Sequence, residues 1–242
     1  MTAVTLSAGP LEVDVLPAAG LDLGTATFDG ERFSWQSGGD PWWGGLMFTC
    51  GLHNVGVSSE GQPQHGVYRT LPAEDVEIDG AVARGHVVDA SLELEREVIV
   101  TDDGVRVTDV VRNAGPGDEA APLLYHVNLL WDMLTTDAAS IAPRDDDARA
   151  GDWRSEGAPG PERVYEHLAA TAATVTFGRI HVEVRSNLPR LWQWIDPALG
   201  VLGIEPANCS VLGRARDRAE GRLPHLAPGE ARTTTLAIKV RG

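Results

Sequence analysis

Nowhere in its 242 residues does the chain string together eighteen apolar residues, so no transmembrane helix is expected. The opening MTAVTLSAGPLEVDV has no basic region followed by an apolar block, and no secretory signal is expected either. Cysteine is scarce. Cys50 and Cys209 lack C-x-x-C spacing, so reduced thiols in the cytoplasm are the simpler expectation, although two distant cysteines can in principle pair. Positive charge is under-represented as well. Twenty Lys and Arg against 35 Asp and Glu leave a formal charge of −15, a surface that repels phosphate backbones and anionic lipid. Nucleic acid and membrane are therefore poor partners, whereas a small neutral ligand such as an unphosphorylated sugar fits this balance. Signature motifs are missing too. There is no G-x-S-x-G elbow of a serine hydrolase. There is no P-loop and no G-x-G-x-x-G fingerprint of a nucleotide enzyme. No long amphipathic helical pattern, fixed-period repeat or low-complexity tail occurs.

β pattern fills the chain instead. LEVDVLP, GTATF, SLELEREVIV, VRVTDVVRN, ATVTF, HVEVRS and TTTLAIKV alternate apolar with polar residues or are rich in β-branched ones. In SLELE, Leu92 and Leu94 alternate with Glu93 and Glu95, as expected of a sheet with one wet face. Asp29-Gly30, Asp79-Gly80 and Asp103-Gly104 separate such runs, and Asp-Gly accepts the positive φ of a hairpin turn. Many short strands between turn signals predict an all-β sandwich or barrel, a single domain over residues 1–242. The longest expected loop runs from about Ala142 to Pro161, rich in charge, Gly and Pro; it reads as a cover over a site or a sheet edge.

One stretch resists the pattern. In LLYHVNLLW, residues 123–131, period 2 assigns Leu123, Tyr125, Val127, Leu129 and Trp131 to one face, a plain core set. The other face collects Leu124, His126, Asn128 and Leu130. An unpaired buried imidazole or amide costs a few kcal/mol, so that face must meet partners, water or a ligand. Three more places interrupt the strands. GLHNVGVSSEGQPQHGVYRT carries His53, Asn54, Gln64, His65 and Arg69 in a Gly-rich connection. RLWQWIDP puts Trp192, Trp194 and Asp196 on one face. VLGIEPAN puts Val201, Gly203 and Glu205 on one face, with Gly203 removing bulk beside the carboxylate. Singly, each has a structural alternative: satisfied core polar groups, a solvated strand end, an exposed loop histidine, core tryptophans. Their coincidence in a well-patterned sheet points to a site.

QHG at 64–66, YHVN at 125–128 and IEPAN at 204–208, in that order, resemble the aldose 1-epimerase or galactose mutarotase superfamily. The chain looks most like a branch whose function is undefined, which also shows Leu71-Pro72-Ala73 after His65-Gly66. The likeness runs from VLPAAGLDLG to the LAPGE turn at 226–230. It implies a large antiparallel β-sandwich of galactose mutarotase type with a sugar site on one face, and no metal or redox cofactor. It implies His126 as general acid, Glu205 as general base and His65 as a second histidine at the sugar ring. The substrate-binding set expected with them is Asn54, Gln64, Arg69, Asn128, Asp132, Trp192, Trp194, Asp196 and Asn208. Asp132, Glu166 and Asp196 all compete for the family's acidic substrate-holding position. The branch usually has an arginine where Ala19 precedes Gly20, and His53-Asn54 stands where the superfamily has asparagine-arginine.

Mutarotation opens a cyclic hemiacetal and closes it on the other face, so the anomeric hydroxyl loses a proton while the ring oxygen gains one. From opposite sides of the C1–O5 unit, a sugar ring apart, Glu205 as carboxylate would take the first and His126 as imidazolium would give the second; an imidazole titrates close to neutral pH. Trp192, Trp194, Trp42 or Trp43 could stack on a pyranose. Two rivals stand beside this reading. One is a non-catalytic carbohydrate-binding sandwich. The other is a metal enzyme built on His53, His65, His126 and Glu205, although H-x-H and H-E-x-x-H spacings are missing.

Overall fold

A computed structural model of the chain describes residues 3–37, 44–130, 140–143, 162–167, 170–177 and 179–242. The first strands are β1 (Val4–Ala8), β2 (Leu11–Leu16), β3 (Asp22–Phe28), β4 (Glu31–Arg32) and β5 (Met47–Gly51). A four-strand run follows: β6 (Glu74–Asp79), β7 (Val82–Asp89), β8 (Leu92–Thr101) and β9 (Gly104–Asn113). Next come β10 (Glu119–Ala120), β11 (Leu123–Leu130), β12 (Ser140–Pro143), β13 (Arg163–His167) and β14 (Ala172–Phe177). The chain finishes with β15 (Ile180–Ser186), β16 (Arg190–Asp196), β17 (Val201–Ala207), β18 (His225–Leu226) and β19 (Ala231–Arg241). A short helix, α1 (Arg214–Ala219), precedes β18.

The strands form two large antiparallel sheets. One runs β1-β2-β3-β5-β11-β17-β16-β13, with β4 added beside β3. The other runs β12-β14-β15-β19-β9-β8-β7-β6. Every strand-like segment named from the sequence lies in one of them. Alternation explains how they pack. Leu92, Leu94, Val98 and Val100 of β8 meet Leu123, Tyr125, Val127 and Leu129 of β11 in one buried cluster between the sheets. This is the all-β sandwich expected.

All three Asp-Gly pairs mark hairpins, in different registers. Asp29 and Gly30 are the two turn residues, at φ 52° and 75°, between β3 and β4. Asp79 instead closes β6 opposite Val82, so Gly80-Ala81 makes that turn. Gly104 opens β9 opposite Thr101, which leaves Asp102-Asp103 in the third. Of the long loop expected over 142–161, Ala142 and Pro143 belong to β12; the remainder lies outside the described residues.

Between the sheets sits a charged knot that the binary pattern did not announce. Arg96 of β8 donates to both oxygens of Asp109 at 2.8 and 2.7 Å, to Asp22 Oδ1 at 2.7 Å and to Thr49 Oγ1 at 2.8 Å. Tyr125 Oη donates to Asp109 Oδ2 at 2.9 Å. The Tyr68 ring packs under the guanidinium, 5.1 Å from its carbon. Asp22, Thr49 and Tyr125 belong to one sheet, Arg96 and Asp109 to the other. The knot therefore bolts the layers together just beneath the strand that carries His126.

Candidate active site

β11 is a central strand, bonded on one edge to β5 and on the other to β17. Its odd-numbered side chains fill the space between the sheets, so the even ones must point to the outer face of the nine-stranded sheet. Register does the rest. Val127 faces Ile204 and Asn128 faces Gly203, which places His126 beside Glu205. One strand further, Trp192 lies opposite Glu205 and Trp194 opposite Gly203. His126 Nε2 and Glu205 Oε1 approach to 3.1 Å, both side chains buried. The two atoms touch without the alignment of a hydrogen bond. Gly203 makes this contact possible. A Cβ there would stand 2.7 Å from Glu205 Oε1 and 3.1 Å from His126 Cε1.

Aromatic rings hold the imidazole. Phe48 of β5 stacks on His126 with centroids 4.3 Å apart and planes at 20°. Trp194 meets it edge-on at 5.2 Å, and His65 edge-on at 6.0 Å. His65 comes from the connection between β5 and β6, and its backbone sits in the left-handed region at φ 61°, uncommon for a residue with a Cβ. Two neighbours keep it there: His65 N donates to Gly56 O at 2.8 Å, and Gly51 N donates to His65 O at 3.0 Å. Gly66 follows because a Cβ at that point would stand 2.2 Å from Gly51 O. The strained histidine is thus pressed toward the cavity by a loop pinned at both flanks.

These groups form the floor of a cavity of about 670 Å³. Trp35, Trp194 and Val211 contribute walls, and Gln64, Glu162 and Asp196 supply polar edges. Trp35 Nε1 donates to Leu199 O at 2.8 Å and Trp194 Nε1 to Glu162 Oε1 at 2.7 Å, so both indoles are anchored by their N–H groups. Asn128 donates to Gly45 O and to His126 O, each at 3.1 Å, which fixes the direction of its carbonyl oxygen. That oxygen, His126 Nδ1 and Glu205 Oε1 are buried without a hydrogen-bond partner among the described residues. Buried polar atoms are nearly always paired, so three orphans in one cavity indicate a binding place.

Burial dominates the electrostatics. It lifts Glu205 from 4.5 to about 8, with the Glu162 carboxylate adding to the rise. Burial also pushes His126 well below the usual imidazole value; His65 and Arg69 push the same way, and Asn128 opposes them. His65 falls to about 4, through burial and then the Arg69 charge. Sequence reasoning put an imidazolium beside a carboxylate. Burial of both side chains favours a neutral imidazole beside a carboxylic acid, because it penalises either charge. Together the two still hold one proton.

The expected site residues divide. His65, Gln64, His126, Asn128, Trp194, Asp196 and Glu205 line the cavity. Asn54, Arg69, Trp192 and Asn208 do not. Asn54 is spent on backbone groups, donating to Val57 O at 3.0 Å and Pro63 O at 2.8 Å and accepting from Arg214 N at 3.3 Å. Arg69 stands behind Phe48, its guanidinium carbon 5.3 Å from the ring centre. Trp192 donates to Cys209 O at 3.2 Å and packs beside the two free cysteines, Cys50 and Cys209, in a second apolar cluster. Asn208 clamps the start of β11, accepting from Leu123 N at 2.7 Å and donating to Ala121 O at 3.1 Å. Asp132, Trp42, Trp43 and Trp131 lie outside the described residues. Of the acidic candidates, Glu166 pairs with Arg190, whereas Asp196 reaches the cavity while Oδ1 caps the backbone of Ala198 and Leu199. His53 pairs instead with Asp89, at 3.6 Å. Among the described residues no three His, Cys, Asp or Glu side chains gather as metal ligands.

Phe48, Trp35 and Glu162 were missed. Phe48 sits in a strand buried on both faces, where alternation carries no signal. Trp35 and Glu162 flank stretches of irregular composition, and only the fold brings them to the site.

A family model described as a domain of unknown function (DUF4432) matches residues 1–240. A comparison with curated proteins gives no match. Among solved structures, the chain resembles a candidate aldose 1-epimerase from Klebsiella pneumoniae at TM-score 0.77 and 22% identity, covering 96% of this chain and 77% of that one. A candidate aldose 1-epimerase from Escherichia coli K12 superposes at TM-score 0.76 with 16% identity and 99% coverage of both chains. A galactose mutarotase-like protein from Lactobacillus casei gives 0.74 with 14% identity, covering 99% of this chain and all of the other. At such identities the likeness establishes the fold: a galactose mutarotase-like β-sandwich.

Proposed function

The chain belongs to the DUF4432 family, and from the chemistry of its cavity we propose that it is an aldose 1-epimerase-type isomerase, interconverting the anomers of a neutral sugar. The contact between His126 and Glu205 on the floor of an open cavity carries this reading. The two oxygens that exchange protons in mutarotation hang on the same carbon. Two adjacent groups can serve them, and no full ring needs to lie between.

In the resting pair Glu205 is the acid and His126 the base. Glu205 delivers its proton to the ring oxygen as the C1–O5 bond breaks, and His126 Nε2 takes the proton of the anomeric hydroxyl. The products are an open-chain aldehyde, a carboxylate and an imidazolium. Rotation about C1–C2 presents the other carbonyl face. On closure the former ring hydroxyl attacks C1 and returns its proton to Glu205, while His126 protonates the new anomeric oxygen. The starting proton inventory is restored. The roles are the reverse of those that the family resemblance implies for the resting state, and burial is the reason.

Polarimetry on freshly dissolved α-glucose and α-galactose, and saturation-transfer NMR at equilibrium, test the proposal. Wild type is expected to accelerate interconversion of at least one neutral aldose above the buffer rate. Sugar binding with no acceleration would favour a carbohydrate-binding role instead. The pH profile is also determined. One proton must reside on the pair, so kcat/KM is expected to fall as pH rises through about 8, where the pair loses it. On the acid side the fall lies well below the ordinary histidine range.

Gly203→Ala offers a further check. Its Cβ forces the imidazole and carboxyl apart, and a displacement near 1 Å is expected to cost about 10²-fold in kcat. The circular-dichroism melt should still show a cooperatively folded sandwich.

A further inference from the structure

The cavity is larger and greasier than the proposed chemistry requires. A pyranose of about a dozen heavy atoms, allowed as much as a water's ~30 Å³ for each, fills less than about 360 Å³. The cavity measures about 670 Å³. The three orphaned polar atoms of His126, Asn128 and Glu205 belong to its floor, so the surplus volume is toward the mouth. There the lining changes character. Val57, Val164 and Leu199 line the cavity and yet are 53%, 45% and 54% exposed. Leu212, 51% exposed, stands beside Val57 through the bridge between Gly56 and Leu212. Large apolar side chains this exposed are few among the described residues; the remaining two, Ile78 and Val88, belong to the other sheet. Scattered singly they would need no explanation, but a cluster rimming a polar floor marks a ligand site.

Charge narrows the choice. No lysine or arginine lines the cavity among the described residues, whereas Glu162, Asp196 and Glu205 do. Among the described residues, a phosphate or carboxylate on the ligand would meet carboxyl groups and no cation. The distal part of the ligand is therefore uncharged and apolar. It cannot sit on the anomeric oxygen, because a glycoside has no free hydroxyl there to deprotonate.

Resting on the isomerase reading above, we propose that the site takes a neutral reducing sugar carrying an apolar group, alkyl, acyl or aryl, on a carbon away from C1. The sugar's anomeric end lies on the His126–Glu205 floor, and the apolar group contacts Val57, Val164 and Leu199 at the mouth. Asp196 helps by capping the turn that presents Leu199, and Trp35 ties the same turn down through the Leu199 carbonyl.

The test uses the full chain and mono-O-benzyl glucoses and galactoses substituted at C2, C3, C4 or C6, beside the parent sugars and their 6-phosphates. Dissociation constants come from tryptophan fluorescence and anomer exchange from saturation-transfer NMR. At least one benzyl sugar is expected to bind ~10-fold or more tightly than its parent, within the range that apolar pocket contacts supply. The 6-phosphates are expected to bind more weakly than the parents. The variant combining Val57→Ser, Val164→Thr and Leu199→Ser should erase most of the benzyl preference. A parent sugar exchanged quickly, with no benzyl sugar preferred, overturns this proposal and leaves the isomerase reading standing. Tight benzyl-sugar binding without any exchange does the opposite. Equal preference in wild type and the triple variant would also overturn it.

Discussion

His126→Ala and Glu205→Gln are each expected to slow anomer interconversion by about 10²–10⁴-fold, the usual worth of a positioned acid or base. The double variant should be hardly slower than either single one, because in the proposed mechanism the two groups pass protons as a unit and removing either stops the relay. Polarimetry and saturation-transfer NMR measure both. Rates equal to wild type in all three variants would end the enzyme reading.

Stability should move the other way for Glu205→Gln. The folded protein holds the Glu205 proton up to about pH 8, against 4.5 for an ordinary glutamate. The unfolded chain therefore releases that proton at lower pH. The group's contribution is complete below about pH 4.5 and is lost progressively as pH rises to about 8. Each unit of displacement corresponds to roughly 1.4 kcal/mol, so the carboxylate costs on the order of a few kcal/mol in alkaline solution. An amide cannot ionise and escapes that cost, although it must still find hydrogen-bond partners. Glu205→Gln should gain Tm relative to wild type as pH is raised from 5 to 9. A gap in Tm that does not widen with pH would show that burial does not penalise the charged form.

The second large effect concerns the knot between the sheets. Arg96→Met is expected to lower unfolding stability by about 3–5 kcal/mol, because Asp22 and Asp109 stay buried with their shared cation gone. Burial already pushes Asp22 above the usual carboxylate range despite Arg96, so little reserve exists for a second loss. Arg96→Lys should recover only part, since a single ammonium cannot reach both carboxylates and Thr49 as the planar fork does. Urea denaturation measures the difference. A cost under about 1 kcal/mol for Arg96→Met would mean that the carboxylates find protons or water and that the knot does not hold the layers together.

Alternation announced an all-β sandwich or barrel, because every strand with one wet face writes its burial into the order of residues, and the family resemblance chose the sandwich. Alternation also singled out His126 and Asn128: on a strand otherwise apolar, two hydrogen-bonding groups on one face stand out whatever lies around them. Glu205 and His65 were legible through local peculiarities, a glycine beside a carboxylate and a histidine in a Gly-rich turn, together with the order of three short motifs. Chemical type, however, does not say where a side chain is spent. Asn54 and Asn208 have the same donors and acceptors as Asn128, yet they close backbone hydrogen bonds because their neighbours in space are a loop and a strand end. Trp192 and Trp194 share a strand face; only the second overlooks the cavity, since Cys50 and Cys209 cover the first.

What the sequence by itself determined was the fold class and the strand face that lines the cavity, since both depend on a two-residue period. Tertiary structure alone decided the 3.1 Å approach of His126 to Glu205, the wedge of Phe48 and the apolar mouth, because these join strands far apart in the chain. It also decided the burial that raises the Glu205 carboxyl and lowers the His126 imidazole. An imidazole and a carboxyl have their ordinary affinities in any sequence, and only their burial in the fold shifts the two in opposite directions.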